Sequence, residues 1–574
     1  MRFPKMRNLF VGTICLCFFL PAWASDRIDL SGLGWTFRTT LEPTPVEVNV
    51  PHCWPTMEKY RTYIGDAIYE HDFSSPSIQK GQVVRLHFDA VYDVATIWLN
   101  GRRLGTHQGG YTPFEFDVTK LLKAGENHLT VEVNNAPSIS TIPALATSHP
   151  SKDYPAYGAV GKGSIVGWMP YGGIVRPVSL LVTDAVYFRE IKVEATPDLH
   201  TGIAAIKVRV RLHNGGATSV MAKIGGSVAG LSVHFPRTQV AAGEDAEIFW
   251  TGTLTQAHLW SVRDPYLYDA TLQIPGDSMS TKLGIREVRV QGTELLLNGK
   301  PVHLFGANRV SEDPVEGLRE SDAIVNRDMT DMLAANMRMM RIAHYPQAPA
   351  LLDFADAHGM LLIAEAGNWN MSAWQMADPE IRALWKKEMR EMMEQDWNHP
   401  SVIAWSVGNE YESFTKDGID WTRDMRAYTL GIDTTRLLSF ASRFTQEPVV
   451  KTGKDEASQY SDFVSVNIYG DYAKRFDRVH ELYPDKPVFV TEFGKMGEPG
   501  KHDPERIKDI TAAVKAMKAR PWMIGGSLWT WADYRSLFPG TPPNGIRNWG
   551  VVEFNREHRD SWDAVQKLFA TELP

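Results

Sequence analysis

The chain changes texture once, near residue 295, and that change limits its fold more than any other feature. Beyond it, helical patterns alternate with short apolar runs: a helix is expected over 321–337, a strand over 339–342, a helix over 348–358 and a strand over 360–364. A helix over 382–396 and a strand over 402–407 continue the alternation, and further apolar runs fall at 463–466, 487–490 and 524–529. Apolar runs of this length, separated by amphipathic helices, fit a parallel sheet covered on both faces. About 280 residues of such units predict a (β/α)8 barrel over 289–574.

Before the change the chain reads as β-structure. Val84-Arg85-Leu86-His87-Phe88 alternates apolar and polar, and Thr96-Ile97-Trp98-Leu99 runs into Asn100-Gly101, a dipeptide suited to the positive φ angles of a tight hairpin. An antiparallel sandwich is expected over 25–184. Alternation resumes in Ile206-Lys207-Val208-Arg209-Val210, with turns at Asn214-Gly215-Gly216 and Gly243-Glu244-Asp245, so a smaller, immunoglobulin-like sandwich is expected over 185–288. The 574 residues exceed one ordinary core, in keeping with three units.

Residues 1–24 read as a signal peptide: Arg2, Lys5 and Arg7, an apolar stretch over 9–20, then Ala22-Trp23-Ala24. The stretch is shorter than the ~20 residues of a membrane span, so the mature chain is expected in the periplasm or secreted, off the membrane. Cys15 and Cys17 leave with the leader, and Cys53 alone forms no intrachain disulfide. The formal net charge of −8 argues against a nucleic-acid partner, and 18 Trp residues suit platforms for sugar C–H faces. A homo-oligomer is compatible with everything above.

In a barrel of this kind, polar residues at the C-terminal ends of strands face the active-site mouth. The run 402–407 ends in Gly408-Asn409-Glu410, and the run 487–490 ends in Thr491-Glu492-Phe493-Gly494. Two carboxyl groups at one rim are what glycosidic cleavage needs, one to protonate the departing oxygen and one to attack or stabilise the cation-like anomeric carbon. Either glutamate alone would be a surface ion pair; their joint placement shifts the reading.

The barrel resembles clan-A glycosidases, and the whole chain is similar to glycoside hydrolase family 2. The resemblance rests on residues 107–114 (HQGGYTPF), Tyr171-Gly172-Gly173-Ile174, and Asn398-His399-Pro400-Ser401 ahead of Asn409-Glu410. It implies a jelly-roll first sandwich, Glu410 as acid/base, Glu492 as nucleophile, Asn409 on the sugar 2-hydroxyl and Tyr469 donating to the nucleophile. By the same resemblance Arg341 lies near the nucleophile, His344 contacts the sugar as a neutral imidazole, and Trp529 forms the platform beneath it. Double displacement with retention of the β configuration would follow.

The sugar is less constrained. Members that act on glucuronides carry Asn-x-Lys-Gly near the barrel's end, where this chain has Arg547-Asn548-Trp549-Gly550. Trp549 in the lysine position, and Gly167-Trp168-Met169-Pro170 without an acidic residue, favour a β-D-galactosidase. A β-D-glucuronidase or β-D-galacturonidase comes second, since Arg547 can bind a carboxylate or sulfate. The rivals are an inactive carbohydrate-binding protein and a transglycosidase. Glu365-Ala366-Gly367-Asn368 lacks the second acid and histidine of a galactosidase metal site, so neither metal nor cofactor is expected.

Overall fold

The computed structural model describes residues 26–145 and 166–570; the expected leader lies outside them. The first sandwich packs a four-stranded sheet, with Val178–Thr183 and Val83–Phe88 at its centre, on a six-stranded sheet running from Val46–Val50 to Arg102–Gln108. Every other residue points inward, so Trp35, Phe37, Tyr69, Leu86, Ile97 and Val131 meet in one core. The hairpin is present: Val94–Leu99 pairs with Arg102–Gln108 through Asn100 and Gly101, both at positive φ. Cys53 is free and buried, and burial pushes its thiol up to about 12.

The second sandwich faces Val186–Asp198, Ile203–Asn214 and Asp245–Leu254 against a sheet containing Gly225–Val228, Tyr268–Ile274 and Asp277–Leu283. It docks on the barrel through residues 397–402: Asn398 Oδ1 accepts from Val193 N at 2.9 Å, Trp397 Nε1 donates to Ile191 O at 3.0 Å, and Arg286 donates to Pro400 O and Val402 O. Part of the motif that precedes Glu410 thus joins two units.

The barrel strands are β1 (Leu304–Ala307), β2 (Met339–Arg341), β3 (Leu361–Glu365), β4 (Val402–Asn409), β5 (Leu437–Ser442), β6 (Val464–Asn467), β7 (Val488–Phe493) and β8 (Met523–Leu528). Seven neighbouring pairs form parallel ladders. Between β1 and β2 the wall closes through Arg338 N donating to Phe305 O at 2.8 Å. A Cβ at Gly306 would sit 1.6 Å from Met339 O, so only glycine allows that approach. A small sheet of Val288–Gln291, Glu294–Leu297 and Lys300–Pro301 puts Leu295 and Leu297 among Phe463, Phe489 and Ile524, plugging the end of the barrel away from the mouth.

The first sandwich lies against the helix Pro379–Asp396 and the mouth. Tyr111 stacks on Tyr345 with ring centroids 4.2 Å apart, Thr112 Oγ1 donates to Glu391 at 2.8 Å, and Lys387 Nζ donates to Gln108 O at 2.9 Å. Residues 107–114 are therefore a docking segment. Two acids are buried in this seam, Asp93 and Glu388, and each keeps one oxygen without a hydrogen-bond partner. Burial pushes Asp93 up to about 7 against the Gly109 N–H and Lys387, while burial, Asp93 and Glu391 raise Glu388 well above the carboxylate range.

Acids raised on folding keep protons that the unfolded chain has released, so they lower stability progressively as pH climbs above about 4 and through 7. Glu388→Gln is expected to melt at a higher temperature than wild type near pH 8, with the difference closing towards pH 4. Calorimetry across that range checks it, and a pH-independent difference would count against the buried pair.

Candidate active site

At the C-terminal ends of β4, β6 and β7 the strand pairing slips, and bulges re-aim side chains into the mouth that the ends of β2 and β3 share. Register shifts fall between Ser406 and Asn409, Val466 and Asn467, and Val490 and Phe493. Gly408 has a φ of 142°, and a Cβ there would come within 2.7 Å of Asn368 O. Glu410 itself has a φ of 50°, in the left-handed region that a non-glycine residue adopts at some cost, held by its N–H donating to Ala441 O at 2.8 Å.

Arg341 is fully buried and joins the group. Nη1 donates to Glu492 Oε1 at 2.8 Å; Nη2 donates to Asn409 Oδ1 at 2.8 Å and to Glu365 Oε1 at 2.9 Å; Nε donates to Glu365 Oε2 at 3.2 Å. Ser406 Oγ donates to Glu365 Oε2 at 2.5 Å. Burial works against a charged Glu365, but Arg341, His344 and Ser406 outweigh it and hold the carboxyl below its usual range. His344 Nδ1 lies 2.8 Å from Arg341 Nη2 and 3.0 Å from Glu365 Oε1, and burial with the arginine's charge lowers the imidazole to about 4, so it is neutral at ordinary pH.

The second oxygen of Glu492 accepts from the Tyr469 hydroxyl at 2.7 Å. Burial and the charges of Glu492 and Glu410 raise that phenol well above its ordinary value, so it remains a donor. Burial pushes Glu492 itself up to about 7; Glu410 adds to the rise, while Arg341 and Tyr469 oppose it. Glu410 Oε1 accepts from Asn467 Nδ2 at 2.8 Å, and the same nitrogen donates to Asn409 Oδ1 at 3.0 Å. With its oxygen occupied twice, Asn409 has an Nδ2 without a protein partner among the described residues, free for a ligand.

Six of the nine residues singled out from sequence therefore meet directly: Arg341, His344, Asn409, Glu410, Tyr469 and Glu492. The other three line the wall. Trp529 stacks on His344 at 5.3 Å and donates to Tyr534 Oη at 3.1 Å, Trp549 lies 5.4 Å from the Tyr469 ring, and Arg547 sits over Phe538 with its backbone paired to Tyr534. Burial pushes the Tyr534 phenol up to about 12 against the pull of the Arg547 charge. Arg547 has no carboxylate partner among the described residues, and its Nε is buried without an acceptor.

Sequence reasoning passed over three members. Glu365 and Asn467 end strands as Asn409 does, a signal that could have found them. Trp168 has no such signal: it comes from the first sandwich, and only the fold brings it 5.4 Å from His344 and 5.6 Å from Trp369. Among the described residues no cluster of three or more His, Cys, Asp or Glu could hold a metal, and no helix is long and apolar enough to cross a membrane.

Removing the charge of Glu365 leaves Arg341 buried with one carboxylate fewer. Glu365→Gln is expected to destabilise the barrel's urea transition by about 3–5 kcal/mol, the usual effect of breaking a buried pair. A loss below about 1 kcal/mol would mean that the pair does not hold the site together.

Three sequence models match: glycosyl hydrolases family 2 sugar binding domain over 35–183, glycosyl hydrolases family 2 over 186–286, and glycosyl hydrolases family 2 TIM barrel domain over 288–537. The β-glucuronidase of Sus scrofa is 25% identical over 528 residues, 83% of this chain and 77% of that one. The β-galactosidase of Thermoanaerobacterium thermosulfurigenes is 27% identical over 471 residues, 78% of this chain and 60% of that one. In fold, the crystal structure of a β-galacturonidase from Eisenbergiella tayi bound to galacturonate superposes with a TM-score of 0.84 at 22% identity, covering 95% of this chain and 97% of that one. Two sandwiches, an eight-stranded parallel barrel and three consecutive matching models lead to one assignment: the chain is a glycoside hydrolase and belongs to glycoside hydrolase family 2.

Proposed function

We propose that the chain is a retaining exo-β-glycosidase of acidic sugars, a β-D-glucuronidase or β-D-galacturonidase. The observation that carries the sugar is Arg547, a cation on the pocket wall with no acidic partner among the described residues. An unpaired guanidinium is costly beside buried aromatic rings, and a sugar carboxylate would satisfy it with charge-assisted hydrogen bonds. Relatives named β-glucuronidase, and a structural neighbour bound to galacturonate, support the same reading. Trp549, where glucuronide-acting members have lysine, favours a β-D-galactosidase instead, and the curated β-galactosidase relative keeps that as the second reading.

In this mechanism Glu492 attacks the anomeric carbon from one face while Glu410 gives its proton to the departing oxygen; Glu410 then deprotonates the water that releases the sugar. Arg341 and the Tyr469 phenol, both donating to Glu492, favour the charge there. Asn409 Nδ2 is placed for the 2-hydroxyl. Trp168 packs on both His344 and Trp369, aromatic bulk beside the site that favours a chain end over a chain interior. Export through residues 1–24, and the unit limits 25–184, 185–288 and 289–574, belong to the same proposal.

A panel of nitrophenyl β-glycosides tests it. Wild type is expected to release a uronide fastest, Glu492→Ala to lose at least about 1000-fold, and Arg547→Ala to lose about 10- to 100-fold in kcat/KM on the uronide alone. Preference for the galactoside, with Arg547→Ala indifferent, would install the second reading. Glu492 must be ionised to attack, and burial pushes it up to about 7, so kcat/KM should rise as pH climbs through about 7. A profile flat across that range would overturn the assignment of Glu492 as the nucleophile.

A further inference from the structure

A hydrogen-bonded chain runs from Thr491, the residue before Glu492, to the Glu410 carboxyl without passing through Arg341. Thr491, the neighbour of Glu492, donates from Oγ1 to Asn467 Oδ1 at 2.7 Å; Asn467 Nδ2 donates to Glu410 Oε1 at 2.8 Å and to Asn409 Oδ1 at 3.0 Å. All three partners of Asn467 are used, and its orientation is fixed: turned over, the amide would present its oxygen to the Glu410 carboxylate and its nitrogen to the threonine. Asn467 is buried at the end of β6, beside the slip that separates it from Val466. The backbone of Glu410 is fixed by Ala441, but its side chain has little else to hold it: it is partly exposed, and Asn467 gives its carboxylate the single side-chain hydrogen bond among the described residues.

We propose that Asn467, locked by Thr491, is the positioning residue for Glu410, fixing the carboxyl in the orientation from which it protonates the departing oxygen and later deprotonates water. The inference rests on the reading of Glu410 as acid/base. Because Nδ2 can donate to the carboxylate but not to the proton of a carboxylic acid, it meets Glu410 on the oxygen that stays bare, which leaves the other oxygen to carry the proton to the substrate. The contact persists when the proton has left, so the same amide supports both half-reactions.

The reading is tested by the leaving group. A dinitrophenolate departs without an acid, whereas a methylumbelliferyl or alkyl aglycone needs one, so a disturbed acid slows the second class selectively. Asn467→Ala is expected to lose kcat/KM at least about tenfold more on the poor leaving group than on the dinitrophenyl glycoside. Thr491→Val, nearly isosteric, should show the same split in weaker form, with Thr491→Ser restoring wild-type behaviour. Thr491→Val also serves if Asn467→Ala does not fold. Equal losses on both substrates would overturn the proposal and make Asn467 a support for Asn409 or for the strand.

Glu410→Gln separates this inference from the reading beneath it. If Glu410→Gln shows the split and the Asn467 and Thr491 variants do not, only the positioning role fails. If Glu410→Gln shows none, the acid/base assignment itself is wrong.

Discussion

One buried guanidinium organises the site. Arg341 is completely shielded from water, and such a charge is tolerated only where anions meet it with good geometry. It is divided between Glu365 and Glu492, and that division matters chemically. A single arginine serving Glu492 alone would neutralise it. Shared with Glu365, it holds Glu492 in place and leaves part of the negative charge uncompensated. Under the proposed mechanism Glu365 and an ionised Glu492 are two anions facing one cation, and the excess negative charge suits an anomeric centre that becomes cation-like as the bond breaks.

The rest of the barrel serves to bring these groups together. Parallel strands place residues far apart in sequence, from Arg341 to Glu492, at one rim, and slips at the ends of β4, β6 and β7 aim the side chains inward. The left-handed backbone of Glu410 is part of the same arrangement. Strain of this kind persists because surrounding contacts over-determine it: the Ala441 carbonyl, the Asn467 amide and the tight approach of Gly408 to Asn368 all bear on the same few residues.

Much of this was legible beforehand, for physical reasons. Strands buried on both faces must be apolar, so β4, β7 and β8 stand out as runs, and the polar residues that follow the first two point to the mouth. The β1 strand Leu304–Ala307 is four residues with a central glycine, and β5 carries Ser439 and Ser442, so neither was picked out. Glu365 was noticed as an acid without a metal partner; its pairing with Arg341 depends on a fold, not on a spacing. In sequence Arg547 beside Trp549 is a cation able to bind a carboxylate or sulfate, but a sequence cannot show that it lacks a partner. Trp168 illustrates the limit, being brought to the site by a separate unit.

The aromatic seam between the first sandwich and the barrel has a consequence for how such an enzyme diversifies. Tyr111 on Tyr345, and Trp168 on His344, put the inner face of one unit against the reactive wall of the other. A barrel inherited without its sandwich would keep both carboxyls and lose a side of its pocket. Substitutions more than a hundred residues upstream of the chemistry are thus felt at the glycosidic bond. Selection can explore new substrates through a unit that performs no bond-breaking, while the expensive buried charges of the barrel stay untouched.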